Sequence, residues 1–225
     1  NPARDFLTTG ERLAPDASSF RKELAAEFRG KPRGQRDALI FVHGFNNTFA
    51  EGLYRLAQLS ADLKIPSATV HYSWPSAGNP LGYVYDRDSA LFARDGLEDL
   101  MNEVAAAGAE RIILVAHSMG SALMMETLRQ IAIRGNTSLR GKIGGVVLIS
   151  PDIDVDVFRA QARAMGELPQ PFLIFGSDRD RMLSMSARLT GAAERLGNLS
   201  DVSRVADLKV TFLDVSAYVE GAGHF

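Results

Sequence analysis

Residues Arg111 to Leu128 read RIILVAHSMGSALMMETL: an apolar run, then His117, Ser118, Met119 and Gly120, then apolar residues at helical spacing. A hydroxyl at the joint between a buried strand and a buried helix points to nucleophilic chemistry. On a sharp strand-to-helix turn a serine stands at the sheet edge beside the first amides of the helix, and small residues two positions away on either side let the turn close. Those positions hold Ala116 and Gly120. Alanine replaces the more usual glycine at the first, and its methyl fits if strand and helix stand slightly further apart. The competing explanation is a serine that only caps the helix N-terminus. A serine nucleophile needs a base, a carboxylate to orient that base, and amides to hold an oxyanion. The segment FVHGF supplies the amides: Gly44 lets the loop approach closely, so that the N–H of Phe45 stands beside that of Met119. For the base, His224 is the histidine that follows the last strand-like run, in the chain order serine, acid, histidine. Among the other histidines, His43 is expected to brace the Phe45 loop and His117 to point away from its neighbour Ser118. His71, inside a strand-like run, is expected to be a satisfied core histidine. Position alone leaves the acid open among the aspartates that follow later runs, including Asp152, Asp154, Asp178 and Asp180.

These side chains need a scaffold that brings them to one edge. Six short runs rich in β-branched and aromatic residues recur: 38–42, 68–74, 112–116, 146–150, 171–175 and 210–215. Their nearly continuous apolar character suits strands of a parallel sheet buried on both faces. Helical patterns lie between them. Phe20, Leu24 and Phe28 mark one near the N-terminus, within a segment to about residue 37 that leads into the sheet. Phe49, Leu53, Leu56, Ala57 and Leu63 mark a second, with Asn47 as N-cap. Leu91, Leu97, Leu100, Met101, Val104 and Ala105 mark a third that ends at Gly108, and Met119, Leu123, Met124, Leu128 and Ile131 a fourth that closes near Gly135. Alternating strand and helix predicts one α/β domain over residues 1–225, with helices on both faces of a mainly parallel sheet. In such sheets ligands bind at the carboxyl ends of the strands, where every candidate above falls.

Composition narrows the partners. The chain has 225 residues, a formal charge of −2 and no cysteine, which excludes disulfides and thiolate catalysis. A near-neutral balance offers no overall basic field for nucleic acid or anionic lipid. No apolar run reaches the roughly 20 residues that cross a bilayer, so membrane insertion is not expected. A start at Asn1 rather than Met is compatible with a leader removed upstream, and the compartment stays open. Alternating Asp152, Asp154 and Asp156 resemble the start of a calcium loop, but Val157 stands where glycine is required and Arg163 where the bidentate glutamate belongs. No metal set, phosphate-binding loop or cofactor is implied.

Taken together, FVHGFNNTF, YSWPSAG, YVYDRDSA, AHSMGS, SPDIDVDVF, SDRDRML and the terminal GHF resemble the alpha/beta-hydrolase family known as domain of unknown function 900, whose members are described generically as esterases or lipases. The resemblance runs from Ala38 to Phe225 and implies an alpha/beta-hydrolase fold and a Ser-Asp-His triad. The family's serine, two variable residues and aspartate fall on Ser177 and Asp180, which makes Asp180 the acid, with Asp152 and Asp178 as alternatives. Ser118, Asp180 and His224 would then cleave a small ester through an acyl-enzyme. Lipase, phospholipase or thioesterase chemistry on the same triad, or a binding protein that keeps the fold without catalysis, are the rival outcomes. The stretch between the fourth and fifth runs is only about twenty residues, room for one helix and no large lid. The segment from Pro75 to Ala90 reads as a long loop near the edge, whose Leu81, Tyr83, Val84 and Tyr85 either wall a pocket or pack on the helix below. Met182 and Met185 are expected either in the pocket or in the core, with the core preferred.

Overall fold

The computed structural model of the protein describes residues 7–191 and 194–218. Each of the six apolar runs forms a strand: β1 (Asp37–Val42), β2 (Ala68–Tyr72), β3 (Arg111–His117), β4 (Ile143–Ile149), β5 (Phe172–Gly176) and β6 (Thr211–Asp214). They make one parallel sheet in the order β2-β1-β3-β4-β5-β6. The chain therefore starts at β1, steps one way to β2, and crosses back to β3 before running on in the other direction. That reversal opens a crevice above the carboxyl ends of β1 and β3, where binding sites of open α/β sheets lie. His43 to Phe45 leave β1 there, and Ser118 leaves β3.

Eight helices accompany the strands among the described residues: α1 (Ala17–Arg29), α2 (Phe49–Asp62), α3 (Tyr83–Phe92), α4 (Arg94–Ala106), α5 (Met119–Ile133), α6 (Thr137–Arg140), α7 (Val155–Met165) and α8 (Arg181–Thr190). The main core lies on one face, where Ile40, Val42, Leu114, Ala116, Leu148 and Phe172 pack against Leu97 and Met101 of α4, Met124 and Leu128 of α5 and Phe158 of α7. The other face carries a smaller cluster, with Leu39, Phe41 and Val115 beneath Leu56 of α2. Helices thus cover both faces, which a parallel sheet requires. The connection from β4 to β5 contains α7 and no lid.

Three local expectations are corrected. The N-cap of α2 is Thr48, not Asn47: Thr48 accepts from the Glu51 amide while the Glu51 carboxylate takes the Thr48 N–H, a reciprocal capping box. Asn47 instead spends its side chain on the Phe45 carbonyl at 2.7 Å. The stretch 83–92 is a helix, because the turn residues before it end at Gly82 and Asp86 fixes its first turn to the loops beside it. At the end of α4 the cap is Ala107, and Gly108 follows with φ 107°, a conformation that favours glycine.

The reciprocal cap gives a direct test. Thr48→Ala is expected to lower stability by about 1 kcal/mol by removing the hydroxyl that accepts the Glu51 N–H, read as a shift in urea midpoint at unchanged slope. Equal stability would show that the box contributes nothing to α2.

Candidate active site

Ser118 joins β3 to α5 with φ 52° and ψ −123°, a backbone conformation that costs a non-glycine residue roughly 1–3 kcal/mol. It stands at the N-cap position of α5, yet its side chain makes no capping hydrogen bond. The simple capping explanation for this serine is thereby excluded. Neighbouring strands hold the turn: the Ser118 N–H donates to the Ile149 carbonyl at 2.9 Å, and its own carbonyl accepts from Ser121 and Asp152. Two glycines make the geometry possible. A Cβ on Gly120 would lie 2.3 Å from the His43 carbonyl oxygen, and one on Gly44 would lie 2.9 Å from the Ser118 Cβ. The β1 loop and the first turn of α5 therefore touch backbone to backbone, with Ser118 at the contact.

His43 is tied to that loop and to the segment after β2. Its Nε2 accepts the Trp74 N–H at 3.1 Å, which leaves the proton on Nδ1 to donate to the Gly44 carbonyl at 2.9 Å. The Trp74 indole N–H donates to the His43 carbonyl, and the two rings stack 4.9 Å apart. Burial holds the His43 pKa below its ordinary value. Beyond Phe45 the loop is pinned by Asp86, a buried carboxylate on α3 that accepts from the amides of Asn46 and Ala77 and from the Ser76 hydroxyl. Among the described residues the amides of Phe45 and Met119 donate no hydrogen bond. His71 differs from expectation: neither ring nitrogen has a hydrogen-bond partner. It packs among Phe41, His43 and Phe49, with its ring edge against Gly52. Burial first, and the neighbouring His43 second, lower its pKa to about 4.

The carboxylates separate by environment. Asp152 is buried and engaged on both oxygens: Oδ1 accepts the Ser186 hydroxyl at 2.6 Å and pairs with Arg195 Nε at 3.1 Å, while Oδ2 accepts the Tyr83 hydroxyl at 2.9 Å. Burial, then the Asp152 charge, raise the Tyr83 pKa to about 12. Asp154 caps α7 through the amides of Asp156 and Val157. Asp178 is exposed. Asp180 is fully buried at the start of α8, where its Oδ1 takes the Leu183 amide at 3.0 Å. His224 lies outside the described residues. Arg195 was not legible from the sequence, because no motif links it to a partner 43 positions away, at Asp152. It is placed by a strap in which Leu196 and Gly197 donate to the carbonyls of Ile153 and Pro151.

Two cavities meet at the Tyr83–Asp152 hydrogen bond. A small one of about 30 Å³ lies over Ser118, walled by Phe45, Pro80, Tyr83, Met182, Met185 and Ser186. A larger one of about 370 Å³ extends between α3, α5 and α7 and is lined by Leu91, Met119, Leu123, Val157, Gln161 and Arg195, with Tyr83 and Asp152 at the shared border. Tyr83 is thus a wall residue, whereas Leu81, Val84 and Tyr85 face outward. Met182 and Met185 line the small cavity and are exposed, which corrects the preference for the core.

The sequence model of the family described as alpha/beta hydrolase of unknown function (DUF900) matches residues 16–221. Among solved structures, the inhibited esterase B from Lactobacillus rhamnosis aligns with a TM-score of 0.51 at 15% identity, over 86% of this chain and 70% of that one. A serine-to-alanine mutant of LAE6, an alpha/beta hydrolase enzyme from the metagenome of Lake Arreo, Spain, gives 0.50 at 14% identity over 82% and 65%. At such identities the likeness is one of fold. No curated protein matches the sequence.

Two measurements probe this geometry. Glycine adopts positive φ without the Cβ penalty, so Ser118→Gly is expected to be more stable than Ser118→Ala by about 1 kcal/mol in urea denaturation; the reverse order would mean the turn is unstrained. The second concerns His71, which takes up a proton near pH 6.5 in the unfolded chain but resists until about 4 when folded. Between those values the unfolded state binds more protons, so stability falls as pH drops through that window, by on the order of 2 kcal/mol once water at the ring edge is allowed for. His71→Leu is expected to flatten that slope whatever it does to stability at pH 8, and an unchanged slope would assign the acid sensitivity elsewhere.

Proposed function

The chain belongs to the family of alpha/beta hydrolases of unknown function (DUF900), and from that premise we propose that it is a serine carboxylesterase acting on short- to medium-chain acyl esters through an acyl-enzyme. The observation that carries this reading is Ser118 itself: a strained turn at the sheet's switch point, closed by Gly44 and Gly120, whose hydroxyl caps nothing. A structural serine has no use for that strain, whereas a nucleophile presented at a sheet edge does.

In the proposed reaction Ser118 Oγ attacks the ester carbonyl carbon while His224 takes its proton. The amides of Phe45 and Met119, which donate no other hydrogen bond among the described residues, hold the resulting oxyanion; unpartnered donors act this way because they need no reorganisation when charge develops. Collapse expels the alcohol, which takes the proton from His224, and water then repeats the sequence on the acyl-enzyme to release the acid and restore Ser118. Asp180 orients the imidazole. Its competitor Asp152 already accepts from Tyr83, Ser186 and Arg195, so an imidazole would have to displace a partner. The cavity of about 370 Å³ beyond Tyr83 has room for one arm of the ester, which suits a small substrate.

A fluorophosphonate probe tests the nucleophile before any substrate is known. Intact-mass analysis is expected to show one adduct, mapped to Ser118 and absent from Ser118→Ala; a folded protein that takes no adduct would favour the non-catalytic binding role. For the acid, Asp180→Asn is expected to lower kcat on an activated short-chain ester by about 10⁴-fold, the scale of losing the group that orients a catalytic histidine. Asp152→Asn should act chiefly on stability, by weakening a buried ion pair. A larger kcat loss from Asp152→Asn would move the acid to the end of β4.

A further inference from the structure

The mouth of the Ser118 cavity is ringed by exposed apolar side chains. On one side, the start of α3 and the turn before it present Leu81, Val84 and Tyr85, exposed to 93%, 71% and 59%; about two and a half turns further along the same helix, away from the mouth, Phe92 extends the apolar surface at 83% exposed. Across the cavity, α8 buries Leu183 and Ala187 and turns outward a face made of Arg181, Met182, Met185 and Arg188. Those four positions share one side of the helix. Both flanks belong to the entrance, because Pro80 and Tyr83 on the first and Met182 and Met185 on the second line the small cavity with Ser118. Leaving this much apolar surface in water is unfavourable, and patches of this kind rimmed by polar groups mark contact surfaces.

The charges around the rim say what the surface meets. Arg87, Arg179, Arg181 and Arg188 are exposed there, against the exposed carboxylates Asp88 and Asp178 and, facing Arg179 from the end of β6, Asp214; Asp86 and Asp180, the remaining acids of the two flanking segments, are buried. The excess is positive, although the whole chain carries −2. Arginines interleaved with methionines on one helix face can lay their stems along an apolar phase while the guanidinium groups reach phosphate. No helix among the described residues is long and apolar enough to cross a membrane.

We infer that this rim docks on the surface of an anionic phospholipid bilayer, so that the small cavity above the buried Ser118 faces the lipid phase and acyl esters dissolved there are its substrates. The docking rests on geometry independent of the chemistry; the substrate class rests on the esterase reading above. The combination gives α3 and α8 a role that the reaction itself does not need.

The test is co-sedimentation of the full chain with vesicles of phosphatidylcholine alone and of phosphatidylcholine containing phosphatidylglycerol, beside turnover of a water-soluble ester. The wild type is expected to partition onto the anionic vesicles more strongly than onto the neutral ones. The pair Arg181→Gln and Arg188→Gln should weaken that binding by about thirtyfold, two surface cations' worth. Leu81→Glu with Phe92→Glu should weaken it at least tenfold, while both double variants keep wild-type turnover of the soluble ester. Absence of binding to anionic vesicles, binding untouched by these changes, or a concentration-dependent dimer abolished by Leu81→Glu with Phe92→Glu would each overturn the proposal. Vesicle binding without turnover of any ester would overturn the esterase reading and the lipid-ester substrate while the docking stands.

Discussion

The site depends on one steric fact: the backbone of β1's outgoing loop lies directly against the first turn of α5. A methyl at Gly120 would stand 2.3 Å from the His43 carbonyl oxygen and 2.8 Å from that of Val42, well inside van der Waals contact. Because nothing but hydrogen occupies that space, the loop carrying Phe45 and the helix starting at Met119 lie side by side at the crevice. The same approach forces Ser118 into positive φ. Its cost is offset by the sheet: β3 pairs with β1 and β4 along its length, and Leu114 and Ala116 are completely buried. A strained residue persists when its surroundings over-determine it, and a central strand of a parallel sheet supplies that constraint.

Around this contact the loops are fixed by two buried carboxylates. Asp86 gathers the loops after β1 and β2, accepting from Asn46, Ser76 and Ala77. Asp152 gathers Tyr83, Ser186 and Arg195 from three other parts of the chain. Desolvating a carboxylate is expensive unless its lone pairs are filled, so each acts as a node that is favourable only when every partner is in place. Loops joined in this way do not drift independently, and the walls of both cavities inherit that order. Asp180 differs in having a helix start as its setting, where its Oδ1 takes the Leu183 amide and caps α8.

Outside the nodes the surface changes character. The helices flanking the entrance bury Tyr83 and Leu183 and, with the turn before α3, expose Leu81, Val84, Met182 and Met185. A chain with a formal charge near zero can still hold a positive, apolar rim, because net charge sums over faces that never meet the same partner.

The sequence by itself determined the six strands, the strand-to-helix serine, the glycine-bearing loop after β1 and the single helix between β4 and β5, since each rests on local patterns of apolar period, turn chemistry and connection length. The residue that caps α2 was less legible: Asn47 and Thr48 are both good caps, and only the reach of Glu51 back to Thr48 chose between them. Tertiary structure decided the rest. Which helix or strand faces Asp152, that Arg195 would close its ion pair from 43 residues away, that His71 would sit unpartnered against Gly52, and that Met182 and Met185 would face outward all depend on contacts between distant segments. Periodicity reports only which residues share a side of an element; what that side meets is settled by the packing of elements that are far apart in the chain.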